Sequence, residues 1–173
     1  MELTGKNVLV VGLARSGMAA IKVLHRLGAV ITLSESKKKE DIKELPELEK
    51  LGVTVVDQSM QAFEGDYALV VKNPGVPFRS PMMQRLAERN IPVITEIELA
   101  YNVAKPQHYV AITGTNGKTT TSTLVYELLA KAFPGKTHLC GNIGIPLCET
   151  VLENGLMEEG GHYIALEISN FQL

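Results

Sequence analysis

An α/β protein is predicted from two features of the sequence: short apolar strands alternate with amphipathic helical stretches, and at two places a glycine-rich turn joins a strand to a helix. The spacing predicts a Rossmann-like doubly wound parallel sheet over residues 1–105, then the start of a second α/β unit over 106–173.

The first strand is Asn7-Val-Leu-Val-Val11, running into Gly12-Leu-Ala-Arg-Ser-Gly17. The helix that follows is apolar along Ala20, Leu24 and Leu27, polar along Lys22, His25 and Arg26, and ends at Gly28. A second strand, Val30-Ile-Thr-Leu33, closes a βαβ unit at Ser34-Glu35. The dinucleotide pattern G-x-G-x-x-G has Ala14 in place of its middle glycine, and Glu35 stands where a ribose-binding carboxylate is expected. On its residues this loop suits NAD, another nucleotide diphosphate, or a tight turn with no ligand.

The charged stretch Lys37 to Lys50 reads as a solvated crossover helix interrupted by Pro46. Val53-Thr-Val-Val56 and Ala68-Leu-Val-Val71 are further strands, the latter leading into the rigid turn Lys72-Asn-Pro-Gly-Val-Pro77. Ser80-Pro81 opens a helix with Met82, Met83, Leu86 and Ala87 as its core stripe. Pro92-Val-Ile-Thr95 is a fifth strand, and a helix capped by Thr95 and Glu98 reaches Ala104. The domain boundary is expected at Lys105-Pro106.

The second unit starts with the strand Val110-Ala-Ile112 and the loop Gly114-Thr-Asn-Gly-Lys-Thr-Thr120. Glycines that let backbone N–H groups converge, a lysine, and hydroxyls at the start of a helix form a phosphate cradle. Lys118 reaches the outer phosphates and Thr119 or Thr120 sits on magnesium. The general P-loop pattern wants a glycine where Ile112 stands. The next helix is expected to bury Leu124, Val125, Leu128, Leu129 and Ala132, with Glu127 and Lys131 outside. Lys136-Thr-His-Leu-Cys140 leads into Gly141-Asn-Ile-Gly-Ile-Pro146, and the strand Tyr163-Ile-Ala-Leu-Glu-Ile168 carries Glu167, a carboxylate suited to a metal in a P-loop-type ATPase domain. Three strands are few for a parallel sheet buried on both faces, so the sequence is expected to stop inside this domain.

Composition narrows the function. A net charge of −2 offers no footprint for nucleic acid or a membrane surface, the start Met1 to Lys6 has no signal-peptide character, and no run approaches a membrane span. A soluble, cytoplasmic protein is expected. Cys140 and Cys148 read as reduced thiols, and no histidine has a second ligand at i+3 or i+4, so metal binding by histidine is not expected. On residues alone, the readings are an ATP-dependent enzyme, an NAD-binding oxidoreductase, or a non-catalytic nucleotide-binding module. Hydride transfer has no use for a second phosphate loop about 100 residues after the first.

With Gly114-Thr-Asn-Gly-Lys-Thr-Thr120, Gly141-Asn-Ile-Gly144 and Leu166-Glu-Ile-Ser-Asn-Phe-Gln-Leu173 in order after a Rossmann-like domain, the chain resembles the Mur ligases of peptidoglycan synthesis. The resemblance implies a ligase that uses ATP and Mg2+ to join D-glutamate to UDP-N-acetylmuramoyl-L-alanine through an acyl phosphate. It implies that Gly114, Thr115, Asn116, Gly117, Lys118, Thr119 and Thr120 bind ATP, that Thr119 and Glu167 serve the metal, and that Lys118, Glu167 and Asn142 are catalytic. Arg15, Ser16, Ser34, Glu35, Asn73, Gly75, Asn142 and Gln172 would contact the UDP-muramoyl substrate. Ser34 stands where the family commonly has aspartate, and Asn170 replaces a frequent serine. By the same resemblance these residues are an N-terminal piece, expected alone to be inactive and to bind ATP weakly if at all; the open strand edge of an unfinished sheet is expected to make it self-associate through the second unit.

Overall fold

In the computed structural model, which describes residues 1–77, 79–170 and 172, the chain divides after Glu96 into two units. Phe171 and Leu173 of the last sequence motif lie outside the described residues.

The first unit is a five-stranded parallel sheet of β1 (Asn7–Val11), β2 (Val30–Glu35), β3 (Thr54–Asp57), β4 (Leu69–Lys72) and β5 (Val93–Thr95) in the order β3-β2-β1-β4-β5. Helix α1 (Arg15–Arg26) links β1 to β2, α2 (Leu45–Lys50) precedes β3, and α3 (Pro81–Glu88) links β4 to β5. Right-handed crossovers running in opposite directions from β1 put α1 and α3 on opposite faces. Leu9, Val11 and Val70 form one core cluster with Phe63, Met83 and Leu86, while the alternate residues Val8 and Val10 turn toward α1, which buries Ala20, Ile21 and Leu24. Because both faces of β1 and β4 are covered, Val8 to Val11 and Leu69 to Val71 are continuous apolar runs rather than alternating ones.

Two expectations are corrected here. The charged stretch is not one helix broken at Pro46: a 3-10 turn spans Lys39–Asp41, and Pro46 lies in the first turn of α2, where its missing N–H has no intrahelical partner to lose. In α3 the Ser80 hydroxyl accepts from Met83 N–H as the cap, and Met83 and Leu86 are buried, but Ala87 is exposed. The helix α4 (Glu96–Val103) belongs almost entirely to the second unit, where Tyr101 packs on Tyr109 with ring centroids 5.3 Å apart.

The second unit holds β6 (His108–Ile112), β7 (Thr137–Gly141) and β8 (Tyr163–Glu167), all parallel, in the order β6-β8-β7. Helices α5 (Lys118–Ala132) and α6 (Leu147–Glu153) make the two crossovers. The expected core face of α5 is only partly right. Leu124 and Leu128 are 60% and 69% exposed and Ala132 is exposed, because the helix turns Ser122, Val125, Tyr126 and Leu129 inward, and the stripe four residues apart faces away. Among the described residues no helix is long and apolar enough to cross a membrane.

Candidate functional site

Each unit brings loops together at the carboxyl ends of its strands, where open parallel sheets bind ligands. In the first unit the strand order reverses between β1 and β4, so the loop after β1 and the turn after β4 diverge and leave a crevice. Gly17 is required where α1 crosses that loop, since a Cβ there would run into the Gly12 carbonyl oxygen. Ala14 caps α1 without a side-chain hydrogen bond, so the helix turns its first N–H groups toward the crevice. Across from it, Asn73 Nδ2 donates to Ser16 Oγ at 3.1 Å and Asn73 Oδ1 accepts from Gly75 N–H at 3.1 Å. The structure thus joins Ser16, Asn73 and Gly75 in one polar wall, with Arg15 exposed at the first turn of α1.

Ser34 and Glu35 have other work. Ser34 is fully buried and its hydroxyl donates to the Asp57 carbonyl at 3.3 Å, while its own carbonyl accepts from Gly12 N–H. Glu35 is 7% exposed. One carboxylate oxygen accepts from Leu13 N–H at 2.8 Å, and the other from Ser36 N–H, Ser36 Oγ and Lys37 N–H at 2.7, 2.9 and 3.1 Å. Burial pushes the Glu35 carboxyl up, but these bonds to its charged form outweigh it and hold its pKa below the usual value. Glu35 therefore pins the β1–α1 loop to the end of β2. The sequence placed it at the right end of the right strand, but not its partners.

In the second unit the loop after β6 and the end of β8 lie at the carboxyl end of the sheet. Gly117, at φ 75°, is the N-cap of α5 and makes no side-chain cap, so the helix again leaves backbone donors for an anion. Lys118 Nζ lies over this loop, donating to Gly114 O at 2.6 Å and Thr115 O at 3.3 Å, and Thr115, Asn116, Thr119 and Thr120 are exposed around it. Register sets Glu167 beside Ile112 on one flank and Gly141 on the other, at the same end as the loop. Glu167 is 1% exposed. Asn142 donates to it twice over, from Nδ2 to Oε1 at 2.8 Å and from N–H to its carbonyl at 2.8 Å, yet Oε2 has no hydrogen-bond partner. An orphaned buried carboxylate oxygen is costly unless a cation or donor meets it. Gln172 is folded back on its own turn, its Oε1 accepting from the N–H and hydroxyl of Ser169.

Among the described residues no cluster of three or more His, Cys, Asp or Glu could hold a metal alone. Magnesium, which is commonly held by one or two carboxylates together with substrate phosphates, fits Glu167 and the Thr119 hydroxyl on that footing. Two histidines far apart in the sequence meet: His138 Nε2 on β7 and His162 Nδ1 just before β8 are 3.0 Å apart, at the amino end of β8. Cys140 and Cys148 are buried free thiols.

Residues 6–95 match the family described as Mur ligase MurD-like, N-terminal domain, and residues 112–173 match the Mur ligase middle domain. The expected Lys105-Pro106 boundary falls in the interval between them. The curated UDP-N-acetylmuramoylalanine--D-glutamate ligase of Enterococcus hirae is 45% identical over 171 residues, and that of Geobacillus sp. (strain WCH70) is 43% identical over 170 residues. Each match covers 97% of this chain and 36% of the relative, so the chain spans little more than a third of their length. Among solved structures, a murein peptide ligase from Psychrobacter arcticus is similar with a TM-score of 0.56 at 18% identity, covering 96% of this chain and 39% of that one. The UDP-N-acetylmuramate:L-alanyl-gamma-D-glutamyl-meso-diaminopimelate ligase from Neisseria meningitides gives 0.54 at 16%, covering 95% of this chain and 52% of that one. At these identities the likeness is one of fold.

Proposed function

This chain belongs to the Mur ligase family, and from that premise we propose that an enzyme of its relatives' length carrying it joins D-glutamate to UDP-N-acetylmuramoyl-L-alanine at the expense of ATP. The γ-phosphoryl group of ATP passes to the terminal carboxylate of the alanyl substrate. The amine of D-glutamate then attacks the acyl phosphate, an amide forms and phosphate leaves. In this reading residues 1–105 hold the uridine diphosphate portion and residues 106–173 begin the ATP-binding domain.

The observation that supports it most is the pairing, at one end of the second sheet, of an uncapped helix N-terminus behind Lys118 with a buried carboxylate whose Oε2 is unsatisfied. Backbone N–H groups of the Gly114–Thr120 loop orient the phosphates, and Lys118 exchanges its loop carbonyls for phosphate oxygens that carry developing charge. Asn142 holds Glu167 in place and leaves its second oxygen for the metal. Magnesium, when bound, neutralises charge on the phosphates being parted. In the first unit the wall of Ser16, Asn73 and Gly75 lies at the N-terminus of α1, an arrangement that suits a diphosphate. The role of Ser34 in this reading is to support the sheet end, and that of Glu35 to shape the loop that meets the ligand.

Titration calorimetry on the chain tests the first half of the reading. UDP-N-acetylmuramoyl-L-alanine is expected to bind more tightly than NAD, since Ala14 crowds a dinucleotide pyrophosphate. Tighter binding of NAD would favour the oxidoreductase reading instead.

A further inference from the structure

At the end of β4 a lysine is folded into the protein instead of out to solvent. Lys72 follows the buried Leu69, Val70 and Val71, lies in register with Val11 and Thr95 on the two neighbouring strands, and is itself only 1% exposed. Its Nζ donates to Val76 O at 3.0 Å and to Asn73 O at 3.5 Å. Those two carbonyls begin and end the turn Asn73–Val76, in which Val76 N–H returns to Asn73 O at 3.0 Å and Gly75 N–H bonds Asn73 Oδ1. The same Asn73 reaches Ser16 on α1 and takes its own N–H to Val11 O at 2.9 Å. Lys72, Asn73, Ser16, Gly17 and Glu96 line one cleft behind the crevice, too narrow to hold a water molecule.

A buried ammonium is costly, and burial here pushes the Lys72 pKa down. An apolar residue would complete the strand at less cost, so the position is explained by what the ammonium holds. We propose that Lys72 is a positioning residue for the diphosphate-bearing substrate: it clamps the Asn73–Val76 turn against the β1–α1 loop, so that Ser16, Asn73 and Gly75 stay one wall. The inference rests on the reading of the first unit as the uridine diphosphate site. It goes beyond that reading in assigning the wall's geometry to a residue that touches no substrate.

Steady-state kinetics on an enzyme of the relatives' length carrying this sequence test it. Lys72→Met removes the ammonium from both carbonyls and leaves Val76 O without the donor it has here, so KM for UDP-N-acetylmuramoyl-L-alanine is expected to rise about tenfold, with kcat and the KM for ATP within about threefold. Lys72→Arg, which keeps donors, is expected to bring that KM back to within about threefold of wild type. Amide exchange at Gly75 and Val76 reads the turn directly and should quicken in Lys72→Met; Lys72→Leu serves if the methionine variant does not fold. A lower melting temperature with unchanged KM would make Lys72 merely structural and overturn the proposal, as would an arginine variant as impaired as the methionine one. If the wild type itself fails to use the uridine substrate, the reading of the site falls and takes this inference with it.

Discussion

Asn142 Nδ2 donates to Oε1 of Glu167 at 2.8 Å, and the other oxygen of that buried carboxylate has no hydrogen-bond partner. The bond fixes the direction of the carboxylate, and the orphaned oxygen gives it something to do. Glu167→Gln keeps an acceptor for Asn142 and removes the negative charge. The fold is therefore expected to survive while turnover of the full-length enzyme falls about 100-fold or more and its magnesium requirement rises. A magnesium titration of activity, with melting temperature as control, checks this; unchanged turnover would remove Glu167 from the metal site.

Lys118→Ala deletes the charge that lies over the Gly114–Thr115 carbonyls. Turnover is expected to drop about a thousandfold, with binding of the uridine substrate to the first unit unaffected. Single-turnover kinetics and calorimetry separate the two effects, and near-normal phosphoryl transfer would show that another residue meets the phosphates.

Glu35→Gln tests the loop clamp. The folded pKa of Glu35 lies below its ordinary value of 4.5, so its contribution is complete above that value and is lost as pH falls through the folded pKa. At neutral pH the variant is expected to be less stable by about 2 kcal/mol, the worth of hydrogen bonds to a buried charge. The gap should narrow on acidification below 4.5 and then close. Urea denaturation at several pH values measures it, and a gap constant with pH would contradict the assignment.

The His138–His162 pair is expected to make the second unit sensitive to acid. Burial, and then the neighbouring His162, hold the His138 pKa below 6.5. The charged groups beside the pair are Lys136 and Glu159, 3.5 Å from each other, with Glu159 Oε1 3.6 Å from His162 Nε2. The unfolded chain then takes up the His138 proton first, so stability is full above 6.5 and falls with pH through the depressed folded value. Melting curves should show that loss in wild type and a smaller one in His138→Gln. Equal losses would place the acid sensitivity elsewhere.

Most strands and helices, and the glycine turn before α5, were legible because their signals are local. Val8 to Val11 can be little but a buried parallel strand, and Gly117-Lys118 between β6 and α5 little but a strand-to-helix turn. Glu167 was legible for the same reason, as a carboxylate ending an apolar strand. What escaped depends on how loops and strands are brought together, not on local pattern. The four donors on Glu35 come from two loops, Lys72 spends its charge on carbonyls of a turn, and His138 finds His162 only once β7 lies beside β8. The burial of Leu124 and Leu128 was misjudged because periodicity gives a helix an apolar stripe without saying what covers it.

The central claim is ligation, and the most direct measurement is product formation by an enzyme of the relatives' length carrying this sequence. It should be supplied with UDP-N-acetylmuramoyl-L-alanine, ATP, magnesium and each of several amino acids. The account predicts one amide product with D-glutamate, formed with one phosphate released per bond and abolished when ATP is withheld. Product formed without ATP, or formed with other amino acids and not with D-glutamate, would contradict it.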